Sequence, residues 1–317
     1  MKKTILILIL ILFPLIGLVL SLTIYSPAYD VTHFMSRKLS LEVNLQKPEI
    51  NLATIRPGTE QMIRWKDTKK QDEREYAFVY IHGFTGHRGE ISPLIEDIQD
   101  QFDANLFFAR LAGHGIEGKT IRAATITDWF TNIDQTYAFA KRLGKKRVYV
   151  GASTGAGMAM LLTEKYDPQS CLVLLSPNFG LSSELTMLGT GPLGYVITSL
   201  FVGNSASDYV TLYPSEEESL VSTRIDGNSL NQFLELTKIF KQYNYENYEN
   251  PVLMLYSKED TVIDPGAVER VFRSLKKNPN NQIYNVGTGH LLFEKDDTTA
   301  LQDTKQKIIS FIQKNCQ

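Results

Sequence analysis

The pentapeptide Gly151-Ala-Ser-Thr-Gly155 sets a serine between two glycines. A serine hydroxyl can attack a carbonyl carbon when a nearby base takes its proton. The apolar run from Arg147 to Val150 directly precedes the motif, and a segment with helical spacing begins at Ala156. In a strand, sharp turn and helix of this kind the serine oxygen is lifted above the sheet, and glycines relieve the crowding around its backbone. We therefore predict Ser153 as a nucleophile rather than as part of an ordinary tight connection.

A serine nucleophile needs a general base, and the base needs an acid that orients it. In proteins with this strand-turn-helix serine, the order along the chain is serine, carboxylate, histidine. Of the five histidines, only His290 follows Ser153. It ends the loop Gly287-Thr-Gly-His290, behind a predicted strand from Gln282 to Val286. We predict His290 as the base, largely by elimination; the alternative is a surface histidine without a catalytic role.

The orienting acid is expected after the predicted strand that ends at Tyr256, where three carboxylates compete. Asp264 precedes Pro265 and a helical segment, so its simplest role is that of a helix N-cap. Glu259 is expected in solvent. Asp260 is then the predicted acid, with its two neighbours as the alternatives.

The negative charge that develops on a substrate oxygen needs hydrogen-bond donors. The usual pair is the backbone N–H after the nucleophile and one from the loop after an early strand of the sheet. These would be Thr154 and Phe84, the latter within His82-Gly-Phe-Thr-Gly86 behind the predicted strand Tyr76 to Ile81. One such donor can lower the barrier by ~2.7 to 4 kcal/mol. His82 itself is predicted to shape the turn and not to catalyse.

Together these motifs resemble the monoacylglycerol lipase, bacterial carboxylesterase and serine aminopeptidase group of α/β hydrolases. The matching features, in the expected order across residues 76 to 291, are His82-Gly-Phe-Thr-Gly86, Leu111-Ala-Gly-His-Gly115, Thr127-Asp-Trp129, Gly151-Ala-Ser-Thr-Gly155, Asp260 with Val262 and Pro265, and Gly289-His290. The resemblance implies the α/β-hydrolase fold and assigns the catalytic roles to Ser153, Asp260 and His290. It also suggests that His114 belongs to a structural turn.

The elements that must position these residues can be read from the alternation of short apolar runs and longer amphipathic segments. Continuous apolar runs are typical of strands buried on both faces. The predicted strands, besides Gln282 to Val286, are Tyr76 to Ile81, Asn105 to Ala109, Arg147 to Val150, Cys171 to Leu175 and Pro251 to Tyr256. The predicted helices between them are Ile91 to Phe102, Thr127 to Leu143, Ala156 to Tyr166 and Ala267 to Leu275. This alternation predicts an α/β fold with a mainly parallel sheet flanked by helices.

The chain is expected to divide into an N-terminal segment at 1–25, a connector at 26–58 and a hydrolase domain at 59–317. The connector has no sustained period but could add one strand around Leu39 to Leu45. Between Ser176 and Pro251 no convincing strand is visible, whereas Leu193 to Val202 and Leu230 to Phe240 have helical patterns. A connection of this length is commonly functional. We predict an inserted helical cap at about 180–250.

The N-terminal segment from Thr4 to Ile24 carries no charge and follows two lysines. At ~1.5 Å per residue it would span the ~30 Å hydrocarbon core of a bilayer. We predict an uncleaved single-span anchor; the alternative is a cleaved signal peptide, with a weak site at Val19-Leu-Ser21, and a secreted protein. The preceding lysines would keep the N-terminus in the cytoplasm and put the catalytic domain on the extracytoplasmic side.

Composition excludes several classes of partner. Lys plus Arg number 33 and Asp plus Glu 35, giving a net charge of -2 without a long block of either sign, so we predict no nucleic-acid partner. Two cysteines and five histidines without His-Glu-x-x-His spacing predict no metal, and no cofactor is expected. A disulfide between Cys171 and Cys316 is not expected, because one opens an apolar strand and the other is next to last.

The predicted function is hydrolysis of a carboxylic ester through an acyl-enzyme, with a small-molecule or lipid-like apolar acyl ester as substrate. An aminopeptidase-like peptidase and an acyltransferase are alternatives that use the same serine. A non-catalytic binding module on the same scaffold is a third alternative.

Overall fold

The computed structural model describes residues 14, 31–37, 41–49, 54–117, 120–121, 124–183, 190–202, 210–211, 222, 224–287, 289–290 and 298–316. All six predicted strands are confirmed, with ends within three residues of the predicted ones. The strands are β1 (Met62–Arg64), β2 (Arg74–Ile81), β3 (Ala104–Phe108), β4 (Thr120–Ile121), β5 (Gly144–Ala152), β6 (Cys171–Leu175), β7 (Val210–Thr211), β8 (Arg224–Ile225), β9 (Val252–Tyr256) and β10 (Gln282–Asn285).

Within the described residues, seven strands form one sheet in the order β1-β3-β2-β5-β6-β9-β10. Of these, β1 is antiparallel to its neighbour and the others run parallel. The central strands β3, β6 and β9 are buried along their whole length, as their continuous apolar runs predict. Because parallel strands end at the same edge, the loops after β2, β5, β9 and β10 converge there.

Helices cover both faces of this sheet. They are α1 (Val31–Ser36), α2 (Ser92–Gln101), α3 (Ile126–Leu143), α4 (Thr154–Tyr166), α5 (Gly191–Phe201), α6 (Gly227–Gln242), α7 (Pro265–Ser274) and α8 (Thr298–Asn315). Alternate side chains of β2 enter two separate cores: Val79 packs in the core of α3, α4 and α7, and Tyr80 in the core of α2 and α8. The predicted mainly parallel sheet flanked by helices is therefore correct.

The segment between β6 and β9 contains the two predicted helices, observed as α5 and α6, but it is not purely helical. The short strands β7 and β8 also lie there, and β8 pairs with β4 in a small second sheet. The expectation of no strand in this segment was wrong, because a two-residue strand is too short to show a period of two. The segment between β6 and β9 is called the insertion below.

In the connector, the described residues 41–49 form no strand. The strand predicted around Leu39 to Leu45 is therefore wrong for residues 41–45, and residues 39 and 40 lie outside the described residues. The extra edge strand is β1, only three residues long. The connector also contains α1, whose Phe34 is fully buried and stacks on Phe130 with ring centroids 4.2 Å apart. Arg37, next to α1, pairs with the buried carboxylate of Asp134. This part of the connector is thus packed onto the domain.

The predicted membrane span from Thr4 to Ile24 lies outside the described residues, apart from Pro14. Among the helices that the structure does describe, none has the length and hydropathy needed to cross a bilayer.

Cys171 and Cys316 form a disulfide, with their Cα atoms 5.6 Å apart. The expectation that they would stay unpaired was wrong. Cys171 begins β6 and Cys316 follows α8, which packs on the sheet through Ile308, Phe311 and Ile312. This packing brings the C-terminus to the start of β6, within the Cα separation that a disulfide requires.

Candidate active site

Ser153 lies in the turn between β5 and α4 with φ of 50° and ψ of -115°. A non-glycine residue rarely adopts positive φ, and such strain persists only where the surrounding structure enforces it. The Ser153 N–H donates to the carbonyl of Leu175, 2.8 Å away. A Cβ at Gly155 would come within 2.1 Å of the carbonyl oxygen of Ile81, so only glycine permits this close packing. The predicted sharp turn at Ser153 is therefore present.

His290 lies after β10 and faces Asp260 after β9. The His290 Nδ1 is 2.8 Å from Asp260 Oδ2, and the Asp260 side chain is completely buried. The other carboxylate oxygen accepts the backbone N–H groups of Val262 and Ile263 at 2.8 and 3.0 Å. Since an ionised carboxylate only accepts, the ring carries its proton on Nδ1 and Nε2 is left as the basic nitrogen. This is the tautomer that a general base requires.

The two competing carboxylates lie elsewhere. Asp264 accepts the backbone N–H of Gly266 at 2.8 Å and caps α7, with Pro265 in the first turn, as predicted. Glu259 is exposed, also as predicted. Of the three candidates, Asp260 is the one in contact with His290.

The loop containing Phe84 passes directly beside the serine. A Cβ at Gly83 would lie 3.2 Å from the Ser153 Cβ, so the backbone leading into Phe84 approaches Ser153 closely. Thr154 follows Ser153 as the first residue of α4. The two predicted oxyanion donors therefore belong to backbone segments that both adjoin Ser153.

His82 shapes this loop, as predicted. Its Nδ1 donates to the carbonyl of Gly83 at 2.7 Å, and its Nε2 accepts the N–H of Leu111 at 3.1 Å. Burial, together with the nearby His114, holds the pKa of His82 well below its ordinary value. The ring is therefore neutral, with both nitrogens used in structural hydrogen bonds.

His114 belongs to a structural turn, as the family resemblance suggested. Its Nε2 contacts the carbonyl oxygen of Phe84, and its Nδ1 lies 3.0 Å from the carbonyl oxygen of Ala112. Arg110 donates to the His114 carbonyl at 3.2 Å and forms a bidentate pair with the buried Glu49 at 2.7 and 3.1 Å. Burial lowers the pKa of His114. This network holds the main chain at Phe84.

The insertion contacts both the loop that contains Phe84 and the turn at Ser153. The ring of Phe233 on α6 stacks on Phe84, and the Ser222 N–H donates to the carbonyl of Thr85 at 2.8 Å. Asn178, just after β6, donates its backbone N–H to the Ser153 carbonyl at 3.0 Å and its side-chain amide to Thr237 of α6 at 3.1 Å. No local sequence pattern predicts these contacts, because they join distant segments.

Within the described ranges, no three His, Cys, Asp or Glu side chains come together as metal ligands. At the carboxyl edge of the sheet, Ser153 follows β5, Asp260 follows β9 and His290 follows β10, and the latter two are hydrogen-bonded. Such a set suits nucleophilic and acid-base chemistry.

Comparison with known proteins gives a family. A sequence profile of the family described as serine aminopeptidase, S33, matches residues 72–296. No curated protein matches the chain.

Three solved structures illustrate the similarity of fold. One of the metagenome-derived lipolytic enzymes LipS and LipT has a TM-score of 0.61 at 15% identity, with coverage of 82% of this chain and 100% of that one. The monoacylglycerol lipase of Paleococcus ferrophilus has a TM-score of 0.58 at 18% identity, and the match covers 80% of this chain and 97% of that one. A soluble variant of monoglyceride lipase from Saccharomyces cerevisiae, in complex with a substrate analog, has a TM-score of 0.60 at 15% identity. That match covers 80% of this chain and 91% of the other. At these identities the likeness shows the fold.

The family profile covers more than half of the chain and includes the turn at Ser153, the acid loop at Asp260 and the histidine loop at His290. The protein therefore belongs to the serine aminopeptidase, S33, family of α/β hydrolases.

Proposed function

We propose that this protein is a serine hydrolase that cleaves carboxylic esters through an acyl-enzyme. The observation that carries the proposal is the hydrogen-bonded pair of Asp260 and His290 on the sheet edge where the strained turn presents Ser153. β5, β9 and β10, which precede these residues, lie in one parallel sheet with only β6 intervening. This common edge supports the proposed roles of Ser153 as nucleophile, His290 as base and Asp260 as orienting acid.

The chemistry follows from these roles. His290 Nε2 takes the proton of the Ser153 hydroxyl as its oxygen bonds to the ester carbonyl carbon. The carbonyl oxygen becomes an oxyanion, stabilised by the N–H groups of Phe84 and Thr154. Collapse of this intermediate breaks the ester bond, and the alcohol leaves with the proton from His290. Water then attacks the acyl-enzyme by the same route and releases the acid, while Asp260 stays ionised throughout.

Reaction at Ser153 can be tested by labelling and by turnover. The wild-type protein should react with a fluorophosphonate at Ser153 and hydrolyse a short-chain p-nitrophenyl ester, whereas Ser153→Ala should do neither. Ser170→Ala is the matched control, because Ser170 is a buried serine just before β6 and distant in the fold from this edge of the sheet. Unchanged ester turnover in Ser153→Ala would sink the proposal, and an unreactive wild type would favour a binding module.

An apolar acyl substrate is the favoured class. The stacked rings of Phe84 and Phe233 lie beside the turn that contains Ser153. In addition, α5 of the insertion carries no charged residue. Among the structures of similar fold are two monoacylglycerol or monoglyceride lipases. We expect kcat/KM to rise with acyl length across p-nitrophenyl acetate, butyrate and octanoate; a flat or falling series would contradict this preference.

An aminopeptidase is the second candidate, and the description of the matching family favours it. A peptidase would cleave aminoacyl p-nitroanilides at Ser153 in preference to acyl esters. An acyltransferase would use the same acyl-enzyme but transfer it to an added alcohol, which product analysis detects. The rates of acyl ester hydrolysis, aminoacyl p-nitroanilide cleavage and acyl transfer to the alcohol therefore separate the three alternatives.

We also propose that the domain is held on the extracytoplasmic side of a membrane by its N-terminal segment. Two lysines precede the uncharged stretch from Thr4 to Ile24, and Cys171 and Cys316 are paired. Structural disulfides are typical of oxidising compartments. The protein should stay with membranes after alkaline carbonate extraction and be digested by protease added to intact cells. Release into the carbonate supernatant would favour the cleaved form.

A further inference from the structure

Two non-glycine residues among those described have positive φ: Ser153 at 50° and Ser176 at 41°. Each directly follows a strand, β5 and β6 respectively, and these strands are parallel neighbours whose last residues, Ala152 and Leu175, are paired. Strained residues of this kind cluster at functional sites. Ser153 has a role in the proposed reaction, whereas Ser176 has none so far.

Ser176, at the end of β6, links β9 to the loop that carries His290. Its backbone N–H donates to the carbonyl of Leu255 on β9, 2.8 Å away. Its hydroxyl donates to the backbone carbonyl of His290, with an Oγ to O distance of 2.7 Å. The residue is only 3% exposed, so this hydrogen bond is shielded from competing water. The positive φ is therefore associated with a hydroxyl that holds the histidine's own main chain.

The histidine loop needs such an anchor. Gly287 has φ of 68°, and no described residue lies within 4 Å of where a Cβ of Gly289 would be. Within the described residues, the backbone before His290 therefore has few steric constraints of its own. Asp260 fixes only the ring of His290, through Nδ1. Ser257 donates to the carbonyl of Gly287 at 3.2 Å, at the start of the loop. Ser176 supplies the contact at the histidine itself.

We infer that Ser176 is a positioning residue for His290, which rests on the proposed function of His290 as base. Asp260 orients the ring and Ser176 locates the main chain, so that Nε2 is held where it can reach the nucleophile. Loss of the Ser176 hydroxyl leaves the ring paired with Asp260 but lets the whole residue shift. A displacement of about 1 Å can lower a rate by about 100-fold.

The test uses two substitutions of Ser176 in the full-length protein. Ser176→Ala removes the hydroxyl and keeps a side chain at positive φ, whereas Ser176→Gly removes the hydroxyl and relieves the strain. If the Ala variant folds poorly, the Gly variant still separates the hydrogen bond from the backbone conformation. Both variants should lower kcat by about 10- to 100-fold and slow fluorophosphonate labelling of Ser153, with KM little changed.

Ser170→Ala is the matched control. Ser170 precedes β6 as Ser176 follows it, is equally buried at 2% exposure, and donates its hydroxyl to the carbonyl of Asp167 at 2.7 Å. It should keep wild-type kcat. A wild-type kcat in Ser176→Gly, or an equal loss in Ser170→Ala, overturns the inference.

A spectroscopic readout distinguishes this inference from the proposed function. The proton between His290 Nδ1 and Asp260 should give a downfield NMR resonance in the wild type, which should broaden or shift in Ser176→Gly but not in Ser170→Ala. This comparison needs no substrate, so it decides the role of Ser176 even if the protein hydrolyses no ester. An identical resonance in wild type and Ser176→Gly overturns the inference.

Discussion

The rings of Phe84 and Phe233 stack with centroids 3.8 Å apart and planes inclined by 13°. Phe84 belongs to the loop beside the nucleophile, and Phe233 belongs to α6 of the insertion. The insertion and the loop that carries the proposed oxyanion donor of Phe84 therefore share a contact. In the proposed reaction this contact helps to hold the Phe84 N–H in place.

Phe233→Ala should thus lower kcat/KM for esters although Phe233 takes no part in the chemistry. An aromatic pair contributes about 0.5–1.5 kcal/mol beyond its buried area, which corresponds to a loss of about 2- to 12-fold. Phe102→Ala is the control, because Phe102 is a partly buried ring that packs on Tyr76, near the start of β2. Steady-state kinetics of both variants check the prediction, and equal losses would contradict it.

Asp260→Asn should lower kcat by about 10⁴-fold, because an amide can donate to His290 Nδ1 and favour the wrong tautomer. Asp264→Asn is the matched control four residues away. It alters the cap of α7 and the ion pair with Arg270, so it should change stability by no more than about 0.5–2 kcal/mol. Its kcat should stay close to that of the wild type. Comparable kcat losses in the two variants would contradict the assignment of Asp260 as the orienting acid and Asp264 as a helix cap only.

His114→Phe should destabilise the protein, because it removes the single N–H that the neutral imidazole can donate to the carbonyl oxygen of Phe84 or Ala112. A buried polar group left without a partner costs about 1–3 kcal/mol. Urea unfolding measures this loss. Binding of a trifluoromethyl ketone, which forms an oxyanion on Ser153, should weaken further in the variant that remains folded; unchanged affinity would mean that His114 does not affect the donors.

Stability should fall with pH below neutrality because of three buried histidines. Burial lowers the pKa of His82, of His114, and of His87, the last to about 4. In the unfolded chain these groups titrate near about 6.5, so the unfolded state binds more protons in the window below that pH. The stabilisation that depends on these neutral histidines is therefore fully present above pH about 6.5. It is lost as the pH falls toward the folded-state pKa, by up to about 1.4 kcal/mol per pH unit for each histidine.

Urea titrations at pH 7.5, 6 and 5 check this dependence. His87→Asn keeps a side-chain acceptor for the Gly89 N–H that His87 caps. In this variant the free energy of unfolding should depend less steeply on pH, because one of the three titrating histidines is gone. A free energy of unfolding that rises as the pH falls through this window would contradict the prediction.

Reduction of the disulfide should lower the free energy of unfolding, because Cys171 and Cys316 are 145 residues apart and their linkage restricts a long loop of the unfolded chain. Removal of a native disulfide typically costs about 2–5 kcal/mol. Urea unfolding with and without dithiothreitol measures the difference. The double variant Cys171→Ala and Cys316→Ala should be insensitive to the reductant, and equal midpoints of the wild type with and without it would contradict the prediction.

Local residue patterns were sufficient to predict six of the seven described strands of the main sheet and the turn at Ser153. Buried parallel strands leave long apolar runs, and the turn requires glycines close to the serine, so both features are visible within a few residues. The N-cap at Asp264 was predictable for the same reason, since Pro265 follows it directly. The choice of Asp260 then followed by elimination, and its contact with His290 is present in the structure.

Short or isolated features were not predictable in this way. The edge strand β1 has three residues, and β7 and β8 have two each, which is too few to show a period. α1 spans six residues and has one buried side chain, Phe34. Such elements are held by their tertiary partners, as Phe34 is held by Phe130, and not by their own sequence pattern.

The proposed catalytic residues and their order along the chain were therefore predicted from sequence alone, as was the mainly parallel α/β architecture. Tertiary structure decided which groups hold those residues in place: Ser176 contacts His290 across 114 residues of chain, His114 contacts Phe84, and Cys171 pairs with Cys316. These contacts depend on how the strands order themselves in the sheet and how the helices pack on it. No local pattern encodes that arrangement, because its energy comes from burying surfaces contributed by distant segments.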